Sequence, residues 1–301
     1  MEIFTELNEN KNLALALGYF DGVHKGHQEV IKSAVNYAKS QNKKSAVITF
    51  KDHPCCFFWG VCPKYILTRE ERRNLLEKLG VDYLYELDFE KISKLSAEEY
   101  FKEILLKYFS PISISTGFNH QFGANKSGNT NLLKQYSQKY NFEYFMIEPE
   151  KYHGVTISST EIRSLLSNGE IRAANNMLGY NFSIKGEVVE GQKLGRQIGF
   201  RTANILYPSE LIDLPFGVYA TTVKVGNKYY KAITNFGVRP TVSKSNACVI
   251  ESHILNFDKD IYGQTIKVKF FEMLRKEQKF SSVKELQKQI TEDIKLCNEK
   301  L

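Results

Sequence analysis

The residues best equipped for chemistry lie in Gly18-Tyr19-Phe20-Asp21-Gly22-Val23-His24-Lys25-Gly26-His27. Two imidazoles three positions apart, at the start of an amphipathic stretch, project to one side. There they can donate hydrogen bonds to phosphate oxygens as charge builds during a displacement. Gly22 and Gly26 let the backbone approach a phosphate closely, and the first turn of the following helix offers unpaired N–H groups at a positive dipole end. Two ordinary surface histidines at a helix start are the alternative. The three glycines, Gly18 included, and the apolar run Leu13–Leu17 before them favour a phosphate cradle, with Phe20 inside it.

A second cluster, Thr156-Ile157-Ser158-Ser159-Thr160-Glu161-Ile162-Arg163, sets hydroxyls where helix N-caps fall and a cation within the first turn. Capping by Ser159 or Thr160 and contact with a phosphate are compatible. The segments Thr49-Phe50-Lys51-Asp52-His53-Pro54 and Gly117-Phe118-Asn119-His120-Gln121-Phe122-Gly123 each follow a strand-like run, so both can meet at one sheet edge or simply pack as turns.

In the second half, Gly191, Gly195 and Gly199 recur at four-residue intervals around Lys193 and lead into Thr202-Ala203-Asn204. Glycines at successive bends let consecutive amides wrap an anion, and Thr202 with Asn204 can supply oxygen ligands to Mg²⁺ or contact a phosphate. A hairpin loop with incidental glycines is the plainer alternative. Glu251, beside apolar Ile250 on a strand-like run, is either a general base or an outward-facing polar residue.

Positioning these groups requires two kinds of scaffold. Short apolar runs (Leu13–Leu17, 46–50, Tyr83–Leu87, 112–115, 144–147) alternate with amphipathic stretches (28–38, 70–79, 97–108, 132–140), which predicts βαβ units and a doubly wound parallel sheet. Two helices are expected over 160–167 and Ile171–Leu178. The period then drops to two over 183–189, 218–225, 229–235, 250–255 and 266–271, which predicts a small antiparallel barrel. A final amphipathic run over 283–296 reads as a covering helix. The boundary is expected near residues 179–182, giving domains 1–180 and 181–301.

At 301 residues, 42% apolar and 13% aromatic, both halves have the composition of globular domains. No apolar run approaches the ~20 residues of a membrane span, and the first residues lack the basic and apolar regions of a signal peptide. A cytoplasmic protein without a membrane partner is expected. The five cysteines, Cys55, Cys56, Cys62, Cys248 and Cys297, show no disulfide framework or zinc spacing, so free thiols are expected. A net charge of +7 favours anionic partners, but the lysines are dispersed, which argues for nucleotides rather than nucleic acid.

The segment from Gly18 to His27 resembles the HxGH nucleotidyltransferase superfamily, and the ISSTEIR stretch resembles its ATP-phosphate contact. With the loops at His53-Pro54 and Asn119, and with Gly199-Phe200-Arg201-Thr202-Ala203-Asn204, Asn235-Phe236-Gly237, Glu251 and Asp258–Gly263 in that order, nearly the whole chain resembles the bifunctional bacterial riboflavin kinase/FAD synthetases. It departs from them at Asp52 (usually Pro), His120 (usually Phe) and Arg201 (usually Pro). The resemblance implies an N-terminal nucleotidyltransferase domain, then a six-stranded riboflavin-kinase-type barrel with a C-terminal helix.

It further implies ATP-dependent phosphorylation of riboflavin to FMN in the barrel and adenylylation of FMN to FAD in the first domain, with Mg²⁺ at both sites. By the same resemblance His24, His27 and Arg163 stabilise adenylyl transfer and Glu251 accepts the ribityl 5′-hydroxyl proton. Gly18, Phe20, Gly22, Gly26, Ser159, Thr160, Gly191, Lys193, Gly195 and Gly199 bind ATP or its phosphates, and Thr202 and Asn204 hold the metal. His53, Pro54, Asn119 and Arg275 contact flavin; Arg275 is otherwise a surface charge before the last helix. A monomer or weak homo-oligomer is expected. Two rivals remain: a nucleotidyltransferase for another acceptor with a flavin-binding regulatory barrel, and an RNA-binding protein with a basic barrel face.

Overall fold

The computed structural model describes residues 1–191, 199–238 and 248–301. The chain divides into two compact units, Met1–Ser159 and Thr160–Leu301.

In the first unit, β1 (Glu2–Phe4) and β2 (Leu13–Leu17) precede α1 (Lys25–Ser40), β3 (Lys44–Phe50), α2 (Pro54–Trp59), α3 (Arg69–Lys78) and β4 (Tyr83–Leu87). Then come α4 (Phe89–Ile92), α5 (Ala97–Glu99) continuing into a π-wound segment Tyr100–Phe109, β5 (Ser113–Gly117), the short hairpin β6 (Gln121–Phe122) and β7 (Gly128–Asn129), α6 (Thr130–Tyr140) and β8 (Glu143–Ile147). A second hairpin, β9 (Lys151–Tyr152) with β10 (Val155–Thr156), ends the unit. Six strands form one sheet in the order β1-β4-β3-β2-β5-β8, every pair parallel.

The chain builds outward from β2 through β3 and β4, then returns to the other side for β5 and β8. That reversal makes the sheet doubly wound and creates a switch point between β2 and β5, where such sheets bind ligands. β2 shows why it sits centrally: Leu13, Leu15 and Leu17 join a core with Phe101, Leu105 and Phe109 of the π-wound segment. The small Ala14 and Ala16 are left for the other face, where α1 crosses β2, β3, β5 and β8 and buries Val30, Ile31, Ala34 and Val35.

A buried ion network ties α3 to β4. Glu86, fully buried, accepts from Arg72 at 3.1 Å and from Arg73. Burial alone would raise the Glu86 carboxyl, but the hydrogen bonds and charges of Arg73 and Arg72 outweigh it and hold it below the ordinary value.

The expectation of five free thiols is corrected: Cys56 and Cys62 form a disulfide. Gly60, at φ +66°, ends α2 in the left-handed conformation and turns the chain back, bringing the two Cα atoms to 4.3 Å. Cys55, Cys248 and Cys297 stand outside it.

In the second unit, α7 (Ser159–Ser167, its first residue belonging to the first unit) and α8 (Ile171–Leu178) precede β11 (Ser183–Glu187), β12 (Ala203–Leu206), β13 (Gly217–Val225), β14 (Lys228–Val238), β15 (Cys248–Ile254), β16 (Thr265–Lys276) and α9 (Val283–Lys300). The sheet runs β11-β16-β13-β14-β15-β12, all antiparallel. A bridge between Val189 and Asn204 and close packing of Gly186 on Ile205 bring its edges together as a nearly closed barrel. α8 packs on β16, where Asn175 donates to the Phe270 carbonyl at 2.9 Å.

Strand alternation sorts the barrel. Inside, Tyr219, Phe236, Ile250 and Phe270 surround a buried hydroxyl ladder, Thr221–Thr234 at 2.7 Å and Thr234–Ser252 at 2.8 Å. Outside, Val218, Ala220 and Ile233 are covered by Ile290, Ile294 and Cys297 of α9. The segment before β13, outside the runs of period two, contains β12, whose residues 203–206 pair with β15.

Candidate active sites

Three strand ends of the first sheet open onto one cavity of about 360 Å³. The β2 end brings Gly18, Phe20, His24, Gly26 and His27, the β5 end Asn119 and His120, the β8 end Ile147 and Glu148, and the start of α7 adds Ser159. This is the switch-point position. The loop after β2 is strained: Phe20 and Val23 adopt φ of +58° and +37°, which non-glycine residues rarely do. Several bonds hold it there. Thr49 and Arg72 donate to the Tyr19 carbonyl at 3.0 and 3.2 Å, Gln28 to the Val23 carbonyl at 2.9 Å, and Ser159 to the Asp21 carbonyl at 2.8 Å. The buried Asp21 carboxylate accepts the Ile66 N–H at 3.1 Å. At Gly18 a Cβ would fall 2.8 Å from the Phe20 ring, so only glycine lets that ring fold back over the strand end.

His24 is the N-cap of α1: its Nδ1 accepts the His27 N–H at 3.2 Å, so in the neutral ring the proton sits on Nε2. The two rings stack with centroids 3.6 Å apart, and Phe20 meets His27 edge-on at 5.2 Å. Burial lowers His24 to about 4. Burial, then the neighbouring His24, lowers His27 well below its ordinary value. Both are therefore neutral at pH 7 and are equipped to donate hydrogen bonds rather than to act as cations. His120 is likewise lowered to about 4 by burial. Buried ring nitrogens of His27 (Nδ1) and His120 (Nε2) have no protein partner, which marks the cavity as built for a polar ligand.

The second unit has two cavities that share Thr202. The smaller, about 90 Å³, lies between residues 201–204 with Gly191 and the segment 257–262. The larger, about 630 Å³, lies between the outer barrel face and α9 and takes in Asn235, Glu251, His253, Arg275 and Asp293. The register places Glu251 between Asn204 on β12 and Asn235 on β14. Asn204 donates to the Thr202 hydroxyl at 3.4 Å, and a Cβ on Gly191 would fall 2.5 Å from the Asn204 amide nitrogen. Glycine is thus required for Asn204 to stand where it does. Thr202 Oγ1 and Asn204 Oδ1 are neutral oxygens beside a carboxylate, a donor set that fits a hard cation sharing its sphere with phosphates and water. Arg275, on β16 rather than in a loop, grips Asp293 through Nε and Nη2 at 2.9 and 2.8 Å, fastening α9 over the larger cavity.

Comparison with known proteins places each half of the chain in a family. The FAD synthetase family model matches residues 6–161 and the riboflavin kinase model residues 178–301. A bifunctional riboflavin kinase/FMN adenylyltransferase of Listeria monocytogenes is 34% identical over 285 residues, 94% of this chain and 90% of its own. This chain belongs to the bifunctional riboflavin kinase/FMN adenylyltransferase family. A family member from Escherichia coli strain K12 is 33% identical over 282 residues, 93% of this chain and 90% of its own. A crystal structure described as a macrolide-efflux protein from Streptococcus pneumoniae shares the fold with a TM-score of 0.90 and 30% identity over 99% of both chains. Among the described residues no helix is long and apolar enough to cross a membrane.

The FAD synthetase match contains the first cavity and the riboflavin kinase match the other two. Gly18, Phe20, His24, Gly26, His27, Asn119 and Ser159 come together at the first. Gly22, at φ +81° against Ile66, shapes the loop without lining the cavity. His53 caps α2 by accepting the Cys55 N–H at 3.1 Å, and its ring meets Tyr19, a lining residue, at 4.7 Å. Its own hollow, of about 270 Å³, is a separate one, and Pro54 opens α2 beside it. Thr160 and Arg163 stand on α7 in the second unit. Gly191, Thr202, Asn204, Glu251 and Arg275 gather at the two barrel cavities, and Gly199, at φ +85°, turns the chain just before them. Lys193 and Gly195 lie outside the described residues.

Sequence reasoning missed Asp21, Thr49 and the Arg72–Glu86–Arg73 network, which hold the first loop, and Asn235 and Asp293, which frame the larger barrel cavity. Asn235 was within reach, since it shares a period-two face with Ile233 in a recognised strand. The others act through tertiary contacts that leave no local pattern.

Proposed function

We propose that the barrel unit transfers the γ-phosphoryl group of ATP to riboflavin, giving FMN, and that the α/β unit transfers the adenylyl group of a second ATP to FMN, giving FAD and pyrophosphate. Family membership supports both activities; the observation that carries the assignment of sites is the separation of two chemically distinct constellations, neutral paired imidazoles in one unit and a flanked carboxylate in the other. The functional halves are taken as 1–180 and 181–301.

In the kinase half, Glu251 accepts the proton of the ribityl 5′-hydroxyl as that oxygen bonds to the γ-phosphorus and ADP leaves. Asn204 and Asn235 flank the carboxylate and orient the hydroxyl. Thr202 Oγ1 and Asn204 Oδ1 would hold Mg²⁺, which when bound neutralises charge on the phosphates. Gly191, Lys193, Gly195 and Gly199 are assigned to binding the nucleotide, and Arg275 holds the flavin side by fixing α9.

In the transferase half, an oxygen of the FMN phosphate bonds to the α-phosphorus while the bond to the β-phosphate oxygen breaks. No covalent enzyme intermediate is required. The His24 Nε2–H and the His27 ring donate to phosphate oxygens where charge accumulates, α1 presents its N-terminal amides, and Arg163 with Ser159 and Thr160 binds the triphosphate. Asn119, His53 and Pro54 are assigned to the flavin side. The same reading makes the chain a cytoplasmic, magnesium-dependent enzyme of small substrates without nucleic-acid or membrane partners, monomeric or weakly self-associating.

Paired variants test the division of labour. Glu251→Gln is expected to lower FMN formation by about 10²–10⁴-fold while supplied FMN is still converted to FAD. His24→Ala should do the reverse. A Glu251→Gln chain with full kinase activity would remove Glu251 as the base.

A further inference from the structure

Arg201 belongs to neither of the groups to which chemistry has been assigned, yet it is the residue through which two walls of the smaller barrel cavity are joined. Its Nη1 donates to the Asp258 carbonyl at 3.0 Å, spanning from the 199–204 turn to the segment that follows β15. Its own carbonyl pairs with His253 Nδ1 at 2.8 Å, and the preceding Phe200 meets that imidazole edge-on at 5.3 Å. Residue 201 is thus held to β15 by its backbone and to residue 258 by its side chain. Just after it come Thr202, which lines both barrel cavities, and Asn204, which pairs with Glu251 across β12 and β15.

We propose that Arg201 is a positioning residue for the nucleotide of the kinase half: a clasp that sets the spacing of the two cavity walls and so the affinity for ATP. The turn needs such a device. Gly199 sits at φ +85° with open space where a Cβ would fall, so no side-chain packing on that side fixes the bend. A proline at 201 would restrict φ by its ring; arginine leaves φ free, and the side-chain bond to Asp258 supplies the restraint from across the cavity instead. Among the described residues, the charged groups that line this cavity beside Arg201 are Asp258, Lys259 and Asp260. The arginine therefore also offsets two carboxylates where an anionic nucleotide must enter.

The proposal rests on the kinase reading, and the test separates the two. In the intact chain, FMN formation from riboflavin is measured against ATP concentration for the wild type, Arg201→Ala and Arg201→Pro, alongside FAD formation from supplied FMN. Arg201→Ala is expected to raise KM for ATP in FMN formation about tenfold, the factor for losing one hydrogen bond, with kcat within about twofold. FAD formation should be unchanged. Arg201→Pro, which restores the restraint without the clasp, is expected to return KM to near the wild-type value. Wild-type chain that makes no FMN would sink the kinase reading itself. Wild-type chain that makes FMN, with an unaltered KM for ATP in Arg201→Ala or with a KM in Arg201→Pro as high as in Arg201→Ala, would overturn the clasp alone.

Discussion

His24 carries most of the residue-scale argument, because its chemistry depends on a protonation state that spacing does not reveal. The three-residue interval between His24 and His27 is plain in the sequence, and it correctly suggests two rings on one side of a helix start. That they stack at 3.6 Å, and that burial keeps both neutral, follows from Phe20 and the strand ends closing around them. A pH dependence follows. The His24 ring drops from an ordinary 6.5 to about 4 in the folded chain, so on acidification the unfolded chain binds the proton first. Its contribution to stability is complete above about pH 6.5 and is lost as pH falls toward 4; His27 and His120, also lowered, act in the same direction. Urea melts at pH 7.5 and pH 5 should show lower stability at the acid value, and imidazole resonances of His24 should show no titration near pH 6.5. Equal stability at both values would contradict the burial argument.

At the scale of elements, the alternation of apolar runs and amphipathic stretches located the central strands and long helices, because β2, β3 and β4 are buried on both faces and α1 carries a continuous apolar stripe. Short elements escaped. α2 is six residues long and has no period to read, although Pro54 at its first turn is a start signal. β12 forms through pairing with β15, about 45 positions along the chain, and the Cys56–Cys62 bond needs a helix turn plus a left-handed glycine that cysteine spacing does not announce. The network on α3 illustrates what such hidden contacts are worth. Arg72 donates to Glu86, to the Phe50 carbonyl and to the Tyr19 carbonyl, so one side chain ties α3, β3, β4 and the histidine loop. Arg72→Ala is expected to destabilise the first unit by about 3–5 kcal/mol, since it strips a buried carboxylate of one partner. Chemical denaturation followed by a probe in that unit checks this, and a loss below about 1 kcal/mol, the range of exposed ion pairs, would show that the network does not brace the fold.

For the whole molecule, the order of the units was legible because the period changes from strand–helix alternation to strands alone after Leu178. What was not legible is how the barrel's two cavities share Thr202 while placing Glu251 between Asn204 and Asn235, since that depends on the register of three strands. The two activities of the family use ATP in turn, and the product of one is the acceptor for the other, so a single chain can run two consecutive transfers on one flavin. Incubation of the wild-type chain with riboflavin, ATP and Mg²⁺, with the flavins separated over time, tests this most directly: FMN should rise first and FAD should follow at its expense, whereas riboflavin left unconverted to either product would contradict the account.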